Sequence, residues 1–193
     1  DAVRKLGRLF VVEQTNARQN QKDLGVMFAM GYRNYESRLK FKIGKKDGII
    51  RAMRTICELI KPICEHFFPD EYKKIIDGSR YDKDKLYEMG GKDFYMGCQM
   101  YFTKDYINSS HIDFADISPT IALWVEETEG SAKDWNFVYP NAKVNTHNGL
   151  IIKLKTGLMM SWEGNIVHHC STVGEMGNNN NHHVYGMAFV SKK

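Results

Sequence analysis

Apolar residues between positions 47 and 68 recur at intervals of three and four, which is the pattern of one face of an α-helix. Asp47 precedes them as a suitable N-terminal cap. Pro62 is expected to kink this helix or to split off its last turn, and Pro69 suits the first turn of a shorter helix over residues 69–76. The pattern therefore predicts a helical buttress over residues 47–76. Its apolar stripe consists of Ile49, Ile50, Met53, Ile56, Cys57, Ile60, Ile63, Cys64 and Phe67.

The chain before this helix is more polar. Residues 1–24 are rich in Gln, Asn and Arg, and only residues 9–12 resemble a strand, so we expect an N-terminal arm. Residues 26–32 form an apolar run bounded by glycines, and together with residues 37–43 they predict a β-hairpin.

From residue 94 onward, helical spacing gives way to short apolar runs separated by polar residues and glycines. Tight turns at Gly157 and Gly164 favour antiparallel neighbours. The runs predict a mainly β fold with flanking helices, a double-stranded β-helix of the jelly-roll or cupin type over residues 94–190, within one domain over residues 25–193. The predicted strands are residues 94–102, 111–113, 120–125, 136–139, 149–154, 158–162, 166–171 and 183–190.

The composition indicates one globular domain, with 193 residues of which 42% are hydrophobic. No apolar run approaches the roughly 18 residues that a membrane span needs, so we expect a soluble domain without membrane contact. The sequence begins at Asp1 and shows no signal peptide, so we expect a piece of a longer protein. The cysteines, Cys57, Cys64, Cys98 and Cys170, form no C-x-x-C pair, which is typical of a reducing compartment. We therefore expect an intracellular location, the nucleus included.

The net charge of +4 is unevenly distributed, because residues 1–50 are rich in Lys and Arg and residues 111–140 are mainly acidic. Arg38, Lys40 and Lys42 alternate with apolar residues, so a strand here would have one cationic face. Such a face suits the phosphates of a nucleic acid. Lysines also protect exposed sheet edges, and the pattern fits both interpretations.

His111 and Asp113 are spaced so that, in an extended segment, both side chains project from one face. The segment Val167-His168-His169-Cys170 offers a second imidazole. Two imidazoles and one carboxylate, with the remaining coordination positions open, suit ferrous iron in oxygen-activating enzymes. A histidine and a carboxylate at this spacing are a weak signal alone, since short motifs recur by chance.

A longer stretch of the chain resembles a known family. Residues 148–172, which contain Trp162-Glu163-Gly164 and end in His168-His169-Cys170-Ser171-Thr172, resemble the C-terminal half of the Fe(II)/2-oxoglutarate dioxygenase barrel. The similarity is to the TET and J-binding-protein-like branch, including relatives carried by Kyakuja-Dileera-Zisupton transposons. Residues 135–140 resemble the strand that these proteins place before the second histidine. The resemblance covers residues 94–190.

This resemblance implies iron ligands at His111, Asp113 and His169, because His169 stands immediately before Cys170 at the position of the family's ligand. Adjacent residues of a strand face opposite sides, so His168 is expected to point away from the iron or toward substrate. A register shift of one residue would exchange the two histidines.

The family grips 2-oxoglutarate with a basic residue, usually arginine, at the start of the last strand. This sequence has His183 there, with Tyr185 next on the same face. An imidazole lacks arginine's permanent charge and two-pronged geometry. Lys153 or Lys155, on an inner strand, is an alternative anchor. An ascorbate-like co-substrate, as in an algal relative of this branch, is an alternative to 2-oxoglutarate.

The resemblance implies an iron-dependent dioxygenase that oxidises a methyl group of 5-methylcytosine or thymine in DNA. The base would leave the duplex stack, with aromatic residues to receive it. Two alternatives stay open: a protein or small-molecule hydroxylase of the same superfamily, and an inactive barrel that serves as a binding or structural module. The aromatic candidates for base stacking, which are equally suited to the core, are Tyr101, Phe102, Trp124 and Trp135.

Overall fold

The computed structural model describes residues 1–10, 24–33, 36–37, 46–78, 99–173 and 183–192. Arg38, Lys40 and Lys42, the predicted phosphate contacts, lie outside these residues. The described helices are α1 (Ala2–Phe10), α2 (Lys46–Phe67) and α3 (Pro69–Gly78). The described strands are β1 (Leu24–Arg33), β2 (Glu36–Ser37), β3 (Gln99–Ile107), β4 (Thr120–Glu126), β5 (Trp135–Val144), β6 (His147–Lys153), β7 (Met159–Trp162), β8 (Cys170–Val173) and β9 (Val184–Val190).

The described strands form two antiparallel sheets. The larger has the order β2-β1-β3-β9-β4-β7 and the smaller the order β6-β5-β8. An isolated antiparallel bridge between His111 and His169 adds the segment at His111 to the smaller sheet as a fourth member, beside β8. Strands β3, β9, β4 and β7 of the larger sheet and the four members of the smaller sheet correspond to the eight strands of a jelly roll. The predicted class, a mainly β jelly roll with flanking helices, is confirmed.

Strand β4 lies inside the larger sheet and is buried on both faces. Ile121, Leu123 and Val125 pack in the core that contains the helices. Ala122 and Trp124 belong to the second core, which holds the residues of β5. Because side chains alternate along a strand, a strand covered on both faces needs apolar residues at nearly every position. This double burial explains the unbroken apolar run of β4.

Helix α2 confirms the predicted helix and buries Ile56, Ile60 and Cys64 of its apolar stripe. The helix continues through Pro62 to Phe67, so of the two expected effects, a kink or a split, the split of the last turn is wrong. Pro62 is exposed, where water can bind the carbonyl that its missing N–H leaves unpaired. Helix α3 confirms the shorter helix that was predicted to follow.

Residues 9–12 resemble a strand in the sequence, but Leu9 and Phe10 lie in the N-terminal helix α1. Leu6 is fully buried in the core with α2. The Arg4 Nε atom donates a hydrogen bond to the carbonyl oxygen of Glu126, at 2.7 Å. These contacts come from residues distant in the sequence, so the local pattern does not reveal them.

None of the helices in the described residues is long and apolar enough to cross a membrane.

The remaining predicted strands have counterparts in the structure. Strands β1 and β2 pair as the described part of the first hairpin, and β4 to β7 and β9 overlap the predicted runs from residue 120 onward. Strand β8 begins at Cys170, four residues later than the predicted run over residues 166–171. The segment over residues 111–113 differs, because only His111 makes a bridge and Asp113 lies in a turn-rich loop. Asp113 is therefore placed by loop contacts and not by strand alternation.

Candidate metal centre

His111 and His169 face each other across the isolated bridge at the edge of the smaller sheet. The backbone N–H of each donates to the carbonyl oxygen of the other, at 3.1 and 3.0 Å. Residues directly opposite in an antiparallel pair project to the same side. The two imidazole rings accordingly lie with their centroids 4.5 Å apart.

A hydrogen bond to the backbone fixes the orientation of each ring. The Nδ1 atom of His111 lies 2.9 Å from the carbonyl oxygen of Ser109, and that of His169 lies 2.9 Å from the carbonyl oxygen of Val167. Because a carbonyl only accepts hydrogen bonds, a proton on Nδ1 satisfies this contact in both rings. The lone pair of each Nε2 is then left to bind a metal, the arrangement that histidine ligands commonly adopt.

Asp113 completes the group. Its backbone N–H donates to the carbonyl oxygen of Gly164, at 2.8 Å, and its Oδ2 atom lies 3.5 Å from Nε2 of His169. One ligand atom from each of His111, Asp113 and His169 lies within 4.8 Å of the others. Burial raises the pKa of Asp113, but the contact with His169 and the charge of Lys192 outweigh it and lower the pKa to about 2. Asp113 is therefore a carboxylate at neutral pH.

Two charged residues beside Asp113 were not predicted from the sequence as site residues. Lys192 Nζ lies 2.8 Å from Oδ1 of Asp116 and 3.7 Å from Oδ1 of Asp113. Asp116 is buried, and burial raises its pKa to about 6 although the charge of Lys192 opposes the rise. The backbones of Asp116 and Lys192 form a second isolated bridge. No local motif links residues so far apart in the chain, and the antiparallel topology brings them together.

A cavity of about 120 Å³ lies against the group of His111, Asp113 and His169. One wall is aromatic: the Phe137 ring stacks on His169 with the centroids 5.7 Å apart, and the Trp162 ring lies 5.3 Å from the same imidazole. The Nε1 atom of Trp162 is buried without a hydrogen-bond partner among the described residues. A buried donor without an acceptor is costly, so this wall is suited to a ligand that brings an acceptor.

The structure does not bring the predicted co-substrate anchors to this cavity. The Nδ1 atom of His183 lies 2.6 Å from Oδ2 of Asp105. Tyr185 is 2% exposed and stacks on Phe102 in the core with the helices, because strand alternation turns Gly186 and not Tyr185 toward the cavity. Lys153 is exposed on β6. Within the described residues, none of these predicted anchors lines the cavity.

The remaining residues predicted from the sequence differ in whether they line the cavity. His168, next to the buried His169, is exposed, and its Nδ1 atom lies 3.4 Å from Oγ of Ser110. Tyr101 and Trp124 line the cavity, as two of the proposed stacking residues would. The other two, Phe102 and Trp135, are buried in the cores.

Two imidazoles and one carboxylate on a jelly-roll scaffold are a group that could hold a metal ion in a 2-His-1-carboxylate arrangement. The chain is similar to the solved structure of NgTET1 in complex with 5mC DNA, with a TM-score of 0.63 and 10% sequence identity. The similarity covers 99% of this chain and 66% of that one, so this chain spans about two thirds of its length. No protein-family model matches the chain, and no curated protein matches it significantly. At this identity the likeness shows a TET-like fold.

Proposed function

We propose that this chain is an Fe(II)-dependent dioxygenase of the TET and J-binding-protein-like branch, which oxidises the methyl group of 5-methylcytosine or thymine with O2 and 2-oxoglutarate. The observation that carries the proposal is the group of His111, Asp113 and His169, whose ligand atoms lie within 4.8 Å of one another in a TET-like fold. The same group without this fold would support only a metal site.

The donor set fits ferrous iron. Both Nε2 atoms are available because each Nδ1 lies against a carbonyl oxygen, and the low pKa of Asp113 provides a charged oxygen ligand. Three protein ligands leave coordination positions open for other molecules. Iron bound here would supply the activation of O2 for oxidation of a C–H bond. The chain would hold the metal, keep the His169 ring in place against Phe137 and Trp162, and limit access of water.

A nucleic-acid substrate is supported by the similarity to NgTET1, which is seen in complex with 5mC DNA. A base paired in a duplex must leave the stack before its methyl group can reach a buried site. Tyr101 and Trp124, which line the cavity, are the residues that we assign to packing against such a base. The basic residues Arg38, Lys40 and Lys42 remain the proposed phosphate contacts.

The choice of co-substrate depends on the charges that line the cavity. Among the described residues that line the cavity, Lys192 is the one lysine or arginine, and it lies beside Asp116 and Asp113. A dicarboxylate such as 2-oxoglutarate needs a cation at its far end. An ascorbate-like co-substrate carries less charge, so this observation favours it as a second candidate.

The test uses metal-free protein that is loaded with Fe(II) without oxygen. The loaded protein is exposed to O2 with duplex DNA that carries 5-methylcytosine, or with matched unmethylated DNA, in the presence of 2-oxoglutarate or ascorbate. Mass spectrometry of the digested nucleosides should show an oxidised methyl group, and Asp113→Ala should abolish it. Iron binding without base oxidation under either condition would contradict the proposed substrate and favour a hydroxylase of other substrates or a binding module.

A further inference from the structure

We propose that Lys192 is a positioning residue that restricts Asp113 to one metal-binding oxygen, and that Asp116 sets the strength of this restriction. This inference rests on the proposed metal centre. It concerns two residues, Asp116 and Lys192, that neither the sequence pattern nor the resemblance assigns to a role.

The two carboxylate oxygens of Asp113 lie in different surroundings. Oδ2 lies 3.5 Å from Nε2 of His169, the nitrogen that would bind the metal. Oδ1 lies 3.7 Å from Nζ of Lys192. A cation held by the imidazoles would therefore meet Oδ2, while Oδ1 faces an ammonium that would compete with the metal for it. One-oxygen binding leaves one more coordination position for water, O2 or a co-substrate.

Lys192 is itself held in place. Its side chain is 9% exposed, its Nζ lies 2.8 Å from Oδ1 of Asp116, and it lies over the ring of Tyr101 at 4.9 Å. Asp116 is 2% exposed, and its Oδ2 accepts a hydrogen bond from Oγ1 of Thr120 at 3.3 Å. A buried ammonium and a buried carboxylate persist only when they are paired. The pair therefore keeps a fixed positive charge beside the metal-binding carboxylate.

This arrangement predicts opposite effects for two substitutions. Lys192→Met removes the positive charge and frees Oδ1 of Asp113, so a divalent cation should bind more tightly, by roughly tenfold or more for a charge this close. Asp116→Asn removes the carboxylate that lies nearer to Lys192, so the ammonium of Lys192 should turn to Asp113. Metal binding should then weaken by roughly tenfold. The Asp116→Asn effect should shrink in the presence of Lys192→Met, because the two residues act through one contact.

The experiment titrates metal-free protein with Mn²⁺ by calorimetry and measures water-proton relaxation of the Mn²⁺ complex. The proteins are the unchanged chain, Lys192→Met, Asp116→Asn, the double variant and Lys192→Arg. We expect tighter binding with fewer bound waters for Lys192→Met, weaker binding for Asp116→Asn, and affinity within about threefold of the unchanged chain for Lys192→Arg, because the charge is kept. Lys192→Gln serves in place of Lys192→Met if the latter does not fold by circular dichroism.

A purely structural role gives a different result. If Lys192→Met and Asp116→Asn both weaken Mn²⁺ binding, the positioning role is overturned while the metal centre stands. The same conclusion follows if Lys192→Met leaves the number of waters bound to Mn²⁺ unchanged. Absence of Mn²⁺ binding by the unchanged chain would overturn the metal centre and this inference with it.

Discussion

Gly164 lies so close to Asp116 that a Cβ atom on the glycine would stand 2.9 Å from Oδ2 of the carboxylate. The same Cβ would lie 3.3 Å from Oγ1 of Thr120, which donates to that oxygen. The carbonyl of Gly164 also accepts the backbone N–H of Asp113. One position without a side chain thus supports both carboxylates of the site.

We therefore expect Gly164→Ala to displace Asp116 and Asp113, to weaken Mn²⁺ binding, and to cost about 1–3 kcal/mol of stability, as overpacking commonly does. Gly157→Ala is the matched control. Gly157 has open space around its Cβ position but a positive φ of 84°, so alanine there is strained and away from the carboxylates. The control should lower the melting temperature without changing metal affinity. Equal metal affinity in the two variants would contradict the role of Gly164.

The buried Nε1 of Trp162 predicts that this indole donates to a bound molecule. Trp162→Phe keeps an aromatic ring beside His169 and removes the donor, so co-substrate affinity should fall by about tenfold, the value of one buried hydrogen bond. Affinities of the Mn²⁺-loaded protein for 2-oxoglutarate and for ascorbate provide the measurement. His183→Gln is the control and should leave both affinities unchanged, because His183 is paired with Asp105. A loss of co-substrate affinity in His183→Gln, with none in Trp162→Phe, would restore His183 as the residue that anchors the co-substrate.

Glu126 ties two loops to the end of β4. Its Oε1 accepts the N–H of Ala132 at 3.1 Å, and its Oε2 accepts the N–H of Thr156 at 3.0 Å. Glu126→Gln places an amide group against one of these donors, so the free energy of unfolding at pH 7 should fall by about 1–3 kcal/mol. Denaturant titration measures this change, and the exposed Glu129→Gln is the control.

The loss caused by Glu126→Gln should depend on pH. Burial raises the pKa of Glu126, but the hydrogen bonds from Thr156 and Ala132 outweigh burial and lower it. A carboxyl whose pKa is lowered by folding stabilises the fold above its unfolded pKa, and this contribution disappears as pH falls through the folded pKa. The difference between the two proteins should therefore be full at pH 7 and should shrink below about pH 4.5, the unfolded value. A difference that grows on acidification would contradict this account.

The basic segment gives a prediction that concerns DNA. Replacing Arg38, Lys40 and Lys42 with glutamine should weaken binding of duplex DNA and flatten its salt dependence, by roughly 0.9 in slope for each phosphate that the variant no longer neutralises. The control replaces the same number of arginines and lysines in another part of the chain, the exposed residues Arg51, Lys73 and Lys133. If both triple variants change binding equally, only net charge matters and the segment does not bind DNA specifically.

Elements with strong local patterns could be predicted from the sequence. The stripe that contains Ile56 and Ile60 repeats at helical spacing over several turns, and α2 follows it. The short apolar runs after residue 120 are separated by polar residues and glycines, and the strands of the two sheets follow these runs. The spacing singled out His111 and Asp113, the resemblance selected His169, and the structure places the ligand atoms of all three together.

Features that depend on distant parts of the chain could not be predicted. Lys192 meets Asp116 only because an isolated bridge joins the two backbones. Tyr185 was expected near a co-substrate, but the alternation of β9 turns it to Phe102. Helix α1 depends on contacts such as that of Arg4 with Glu126, which local propensity does not encode.

Anaerobic titration with Fe(II) tests the central claim most directly, on the unchanged chain, His169→Ala and His168→Ala. The two substitutions remove neighbouring imidazoles, of which His169 is buried beside Asp113 and His168 is exposed. We predict one Fe(II) per chain for the unchanged protein and for His168→Ala. His169→Ala should weaken binding by more than about a hundredfold, since even outer partners of a ligand contribute roughly 10- to 100-fold. Retention of iron in His169→Ala together with its loss in His168→Ala would contradict the proposed metal centre.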